Sequence, residues 1–180
     1  MQELKAEGRV GAVSFGIYPM DLWQRIFAEC EVDCGLVHNH YCLNDTRLLE
    51  LLPLAAERNI GIINGSPFGS GLLTDSGPAD WHPATPAERQ LARDAADFCR
   101  GQGVPLSKLA LQFASQHPAI PTTLFSSSRA ASVRRNVQWH EEALDPDLLA
   151  AVRGMLAPLL DKQWDYDAAV GMLDPKAAVP

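Results

Sequence analysis

Short apolar segments alternate with longer amphipathic ones along this chain, and that rhythm limits its fold more than any other feature. Arg9 to Gly16, Val32 to Asn39, Ile60 to Asn64 and Ala119 to Phe125 each read as a strand. Between the first two, Leu22, Trp23, Ile26, Phe27 and Cys30 recur at helical spacing. Strands that alternate with helices imply a parallel sheet with right-handed crossovers.

The remaining helices carry their own boundary marks. One runs from about Thr46 to Arg58, with Asn44 or Asp45 as cap and Pro53 kinking it or moving its start. Thr85-Pro86-Ala87-Glu88 is a capping box with proline at the first helical position, and Gly101 and Gly103 end that helix. Pro105 to Gln116 buries Leu106, Leu109, Ala110 and Phe113, and further helices span 129–139 and 147–160. The tail, Asp161 to Pro180, shows weak periodicity around Trp164 and Tyr166. With no linker or repeat, residues 1–180 are expected to form one domain.

An open dinucleotide-binding sheet needs a G-x-G-x-x-G turn after its first strand. Here that strand runs into Ser14-Phe15-Gly16-Ile17-Tyr18-Pro19, while the glycine- and serine-rich loops follow later strands. Barrels build their sites on such loops. The expected fold is therefore α/β, half of a (β/α)8 barrel with about four parallel strands and flanking helices.

The net charge of −7, with no basic cluster beyond Arg134-Arg135, argues against nucleic-acid or anionic-membrane partners. No apolar run approaches the roughly 20 residues of a membrane span, and the start, Met1 to Glu7, is too charged for a signal peptide. These features predict a cytoplasmic protein. Cys30, Cys34, Cys42 and Cys99 form no C-x-x-C pair and read as free thiols.

Two loops stand out as sites. Ser66-Pro67-Phe68-Gly69-Ser70-Gly71 follows the third strand, where glycines let backbone N–H groups approach a ligand. Ser126-Ser127-Ser128-Arg129 joins the fourth strand to a helix, whose N-terminus favours an anion; plain capping by serine is the simpler alternative. His38, His40 and Cys42 alternate and would share a face of a continuing strand. With His82 they suggest a metal-dependent hydrolase, against a hydrogen-bonding role.

Residues 8–16, the His38–Tyr41 segment, Ser66-Pro67-Phe68-x-x-Gly71-Leu72-Leu73 and the 126–128 serines ending in Asn136 occur in order. Together the set resembles the last four strand–loop units of an aldo-keto reductase, above all the aldose dehydrogenase subgroup. The resemblance implies NAD or NADP bound across the barrel mouth. Ser14 would bond the nicotinamide carboxamide, with Phe15 replacing the usual asparagine beside it. His38 takes the place of a common glutamine, and Gly65 that of a stacking aromatic ring. Ser66, Pro67, Phe68, Gly69 and Gly71 would line the pyrophosphate; Ser126, Ser127, Ser128 and Arg129 would meet the adenosine end.

Asn136 matches an adenine-contacting asparagine, and Arg135 stands where glutamate is common. Ser126 and Ser132 replace basic side chains of NADP-selective members, which favours NAD, though Arg129 or Arg135 offers a replacement charge. The family's catalytic tyrosine, lysine, aspartate and histidine come from the first four units, which have no counterpart here. Tyr18 and Tyr41 lie on the loop side, yet no lysine falls between Lys5 and Lys108.

The chain thus reads as the C-terminal half of an oxidoreductase acting, when complete, on an aldose or another small carbonyl compound. It would pair with a missing N-terminal half or with itself. The alternatives are a non-catalytic half barrel that at most holds a nucleotide, and the metal-dependent hydrolase.

Overall fold

A computed structural model describes residues 1–166; the tail from 167 onward lies outside the described residues. Four strands form one sheet: β1 (Ser14–Ile17), β2 (Cys34–His38), β3 (Gly61–Gly65) and β4 (Thr122–Leu124). They are parallel and stand in chain order, β1-β2-β3-β4. A doubly wound sheet reverses its order at a switch point; this one steps always in the same direction, as a barrel does.

Helices α1 (Gln2–Ala6), α2 (Met20–Glu29), α3 (Leu52–Glu57), α4 (Pro86–Gly101), α5 (Leu106–Ser115), α6 (Ala130–Glu141) and α7 (Pro146–Met155) complete the framework. The register places Ser14, Cys34, Leu36, His38, Gly61, Ile63, Gly65, Thr122 and Leu124 on one face. The opposite face meets the helices. Gly35 lies there against Trp23 and Phe27: a Cβ would come within 2.8 Å of Trp23 and 2.9 Å of Phe27. Those two rings meet edge to face at 5.4 Å. A second core joins α4, α5 and α7 through Leu106, Leu109, Val152 and Leu156.

Both outer strands are shorter than the apolar runs suggest. Before β1, Val13 is held by a side chain: its N–H donates to the Asp33 carboxylate at 2.7 Å, and its carbonyl accepts from Asp33 N at 2.8 Å. Before β4, Pro121 has no N–H to give the ladder. Pro53 acts on the next helix as expected: a 3₁₀ turn covers Arg47–Leu51, and the α-helix begins only at Leu52. The Thr85/Glu88 capping box is complete, with Glu88 N donating to Thr85 Oγ1 at 3.3 Å and Thr85 N to the Glu88 carboxylate at 2.8 Å. Among the described residues, no helix is long and apolar enough to cross a membrane.

Candidate functional site

The C-terminal ends of the strands share one edge of the sheet. His38 pairs with Gly65, and Gly65 with Leu124. Beyond them, a cavity of about 610 Å³ is walled by His38, Gly65, Ser66, Pro67, Phe68, Gly71 and Ser126, with Leu36, Leu124 and Phe125 as its apolar part. Six of the residues expected to hold a dinucleotide thus meet in one place.

The loop after β3 reaches this position through unusual backbone geometry. Ser66, Gly69, Ser70 and Gly71 all have positive φ, at 64°, 55°, 52° and 95°. A Cβ on Gly71 would also lie 3.2 Å from Pro78 Cα, so glycine is needed there. Most of the loop's N–H groups are already used. Gly69 donates to Ser66 O, Gly71 to Phe68 O and Leu72 to Gly69 O, each at 3.0 Å, while Ser70 N donates to Ser66 Oγ at 3.1 Å. The loop offers shape and hydroxyl oxygens more than a row of free amides.

The residues expected at the adenosine end separate. Ser126 lines the main cavity. Arg135 lines a second cavity of about 450 Å³ with Asp75, Arg100, Ser107 and Trp139, its guanidinium 4.7 Å from the Trp139 ring centre. Asn136 lines a third, of about 320 Å³, with Ser115, Thr122 and His140. Ser127, Ser128 and Arg129 stay exposed and Ser132 half-buried near the start of α6, and Ser127 Oγ accepts the Arg129 N–H at 3.2 Å, a capping-type contact. Ser14 is exposed on β1, and its hydroxyl donates to Phe15 O at 3.2 Å.

The histidine run leaves the strand after His38, because Asn39 turns into the left-handed region at φ 60°. His40 therefore points into the protein. Its Nε2–H donates to Tyr18 O at 2.5 Å, and its Nδ1 lies 3.2 Å from the Asp45 carboxylate. Asp45 is buried; burial raises its carboxyl pKa, but bonds from His40 and Arg47 outweigh that and hold it below the usual range. Cys42 is buried too, its thiol pushed up to about 12 by burial and the nearby Asp45. Among the described residues no three His, Cys, Asp or Glu side chains are grouped to hold a metal ion. His38 keeps an open edge toward the cavity, while partial burial and the neighbouring His40 hold its pKa below the ordinary value.

A polar and aromatic cluster that the linear pattern does not display stands beside the cavity. Asn39 Nδ2 donates to Tyr166 Oη at 2.7 Å and to Ser70 Oγ at 2.8 Å, so the β3 loop is pinned from below. Tyr18 stacks on His40 at 4.9 Å and meets Tyr166 edge-on at 5.0 Å. Its hydroxyl accepts the Trp164 N–H at 3.0 Å, and burial pushes its pKa up to about 12. The 161–166 segment is bound across these loops, with Asp161 accepting from Thr46 N at 2.8 Å and Lys162 paired to Glu88. Trp164 and Tyr166 were the available sequence signal, as isolated aromatics in a polar tail.

The aldo/keto reductase family model matches residues 1–157. The chain belongs to this family. This reductase-family chain is 32% identical over 171 residues to L-galactose dehydrogenase of Arabidopsis thaliana, a match covering 91% of the chain and 54% of that protein. It is also 32% identical over 146 residues to D-threo-aldose 1-dehydrogenase of a Pseudomonas species, covering 77% and 44%. Pyridoxal 4-dehydrogenase of Microbacterium luteolum is 27% identical, covering 85% and 46%. The chain spans about half the length of these relatives. The holo structure of aldo-keto reductase AKR11C1 from Bacillus halodurans superposes with a TM-score of 0.62 at 23% identity, over 88% of this chain and 53% of that one. The fold is thus α/β, four parallel strands with helices, matching about half of an aldo-keto reductase barrel.

Proposed function

We propose that this chain is the C-terminal, dinucleotide-holding half of an NAD(P)-dependent oxidoreductase acting on an aldose or another small carbonyl compound once four further strand–helix units are present. One observation carries the reading. Loops from three different strands bring His38, Ser66 to Phe68, Gly71 and Ser126 around a single cavity at the C-terminal end of the sheet. Barrel enzymes place their chemistry at that end. The names of two relatives, an L-galactose and a D-threo-aldose dehydrogenase, support a sugar as substrate.

The dinucleotide would accept or return hydride at its nicotinamide ring. In this reading, neutral His38 presents a ring nitrogen to the carboxamide, with Ser14 on the same face of the sheet. Ser66 and Ser126 give hydroxyls to the phosphates, and Phe68 walls the cleft between them. In this reading proton transfer falls to the four further units. Tyr18 is a poor substitute: its pKa is high and its hydroxyl is engaged by Trp164. Ser126 and Ser132 stand where NADP-selective members carry basic side chains, and among the described residues no Lys or Arg lines the cavity, which supports NAD over NADP. Calorimetric titration of the purified chain is expected to show NAD binding and weaker NADP binding. Absence of binding by both would overturn the reading.

A further inference from the structure

Left-handed backbone gathers at one place in this molecule. Five non-glycine residues of the described region have positive φ: Asn39, Asn59, Ser66, Ser70 and Asp161. All but Asn59 belong to one assembly beside the main cavity. Ser66 and Ser70 shape the β3 loop, Asp161 begins the 161–166 segment, and Asn39 stands between the two. Asn39 is 2% exposed, and its Oδ1 is buried with no partner among the described residues. A left-handed backbone and an unpaired buried carbonyl each cost stability. What the residue supplies is its amide nitrogen, which gives one hydrogen to Ser70 Oγ at 2.8 Å and the other to Tyr166 Oη at 2.7 Å. Ser70 also bonds the Tyr166 hydroxyl. Three side-chain tips from three parts of the chain thus close a triangle.

We propose that this triangle is a latch: it couples docking of the 161–166 segment to the conformation of the β3 loop, so that the segment and the ligand of the main cavity reinforce each other's binding. Asn39 is then a positioning residue, which acts through Ser70 and not on the ligand.

On the loop side the connection is short. Ser70 N donates to Ser66 Oγ at 3.1 Å, and both Ser66 and the adjoining Gly71 wall the cavity. Releasing Ser70 therefore frees the wall it holds. The segment, for its part, is fastened away from this loop. Thr46 N donates to Asp161 Oδ1 at 2.8 Å, Arg47 Nη1 to Gln163 Oε1 at 3.1 Å and Trp164 N to Tyr18 Oη at 3.0 Å, while Lys162 pairs with Glu88. These anchors lie after β1, after β2 and in the first turn of α4, and they hold Tyr166 in place for Asn39 and Ser70. Such coupling is reciprocal: a ligand that steadies the loop steadies the segment by the same factor. That the ligand is a dinucleotide rests on the proposed function; the latch itself does not.

Hydrogen exchange on the full chain, read by mass spectrometry, tests the latch without any ligand. Tyr166→Phe keeps the ring and removes its bonds to Asn39 and Ser70, and Asn39→Gly removes the amide while suiting the left-handed backbone. Tyr166→Phe should speed exchange across residues 69–73, and Asn39→Gly across both 69–73 and 161–166. Each change should be at least about fivefold, with α5 unaffected. Combined, the two substitutions should act non-additively, since each opens the same triangle. In a second arm, saturating NAD should slow exchange at 161–166 in the wild type and not in Asn39→Gly. Exchange at 69–73 that ignores Tyr166→Phe overturns the latch. So do additive effects, acceleration spread evenly over the chain, and NAD that binds yet leaves 161–166 unprotected. If NAD does not bind the wild type, the dinucleotide reading alone falls, and the ligand-free arm still decides the latch.

Discussion

His82 accepts the backbone N–H of Ala84 on its Nδ1 at 3.0 Å, two residues ahead of the chain turning into α4. That bond needs a lone pair on Nδ1. The ring must therefore be neutral, its proton on Nε2, 3.4 Å from Tyr166 Oη. Burial, and then the nearby Arg89, push its pKa down to about 4.

The pH dependence follows from the sign of that shift. A folded-state pKa below the unfolded value of 6.5 means that unfolding takes up a proton between the two. The stabilisation is whole above pH 6.5 and is lost as pH falls toward about 4. At most about 3 kcal/mol is at stake. Urea unfolding followed from pH 7.5 to 4.5 should show a stability slope that flattens in His82→Gln.

Gly35 is expected to be intolerant of even one methyl group. With Trp23 and Phe27 already within 3 Å of a built Cβ, Gly35→Ala should cost about 2 kcal/mol or more. Gly101→Ala, which meets nothing within 4 Å at the end of α4, should leave the urea midpoint unchanged or raise it.

The four thiols should divide in two. Cys42 and Cys99 are buried, with pKa values pushed up to about 12 and about 11 by burial. Cys30 and Cys34 are partly exposed. An Ellman assay on the native chain should count two reactive thiols, and four in denaturant; Cys42→Ala should leave the native count at two.

Ser126 tests the cavity directly. Ser126→Asp sets a carboxylate where a phosphate is proposed to lie, and should weaken NAD binding at least tenfold, about 1.4 kcal/mol. The unfolding midpoint should not move, since Ser126 is exposed. Unchanged affinity in the titration would remove Ser126 from the site.

The regular elements were legible in sequence wherever a local rule governs them. The Thr85/Glu88 box starts α4, Pro53 displaces the start of α3, and four apolar runs yield four parallel strands. Strand ends were less legible, because pairing depends on a neighbour: in the run from Arg9 to Val13, Arg9 and Val10 donate back to Leu4 O and Val13 is held by Asp33. Of the residues singled out by the family resemblance, His38, Ser66, Pro67, Phe68, Gly71 and Ser126 line the cavity, whereas Arg135 and Asn136 line other grooves.

Sequence alone determined that alternation, the helix starts and the family to which the chain belongs. Tertiary structure alone decided that His40 turns inward while His38 faces the cavity, since one left-handed residue, Asn39, breaks the strand's alternation. It also decided that Arg135 and Asn136, adjacent on one helix, face different grooves, because neighbours on a helix point about 100° apart. The cluster joining Tyr18, Asn39, His82 and Tyr166 spans well over a hundred residues of chain. Contacts of that kind arise only when the β1, β2 and β3 loops and the 161–166 segment converge at one end of the sheet.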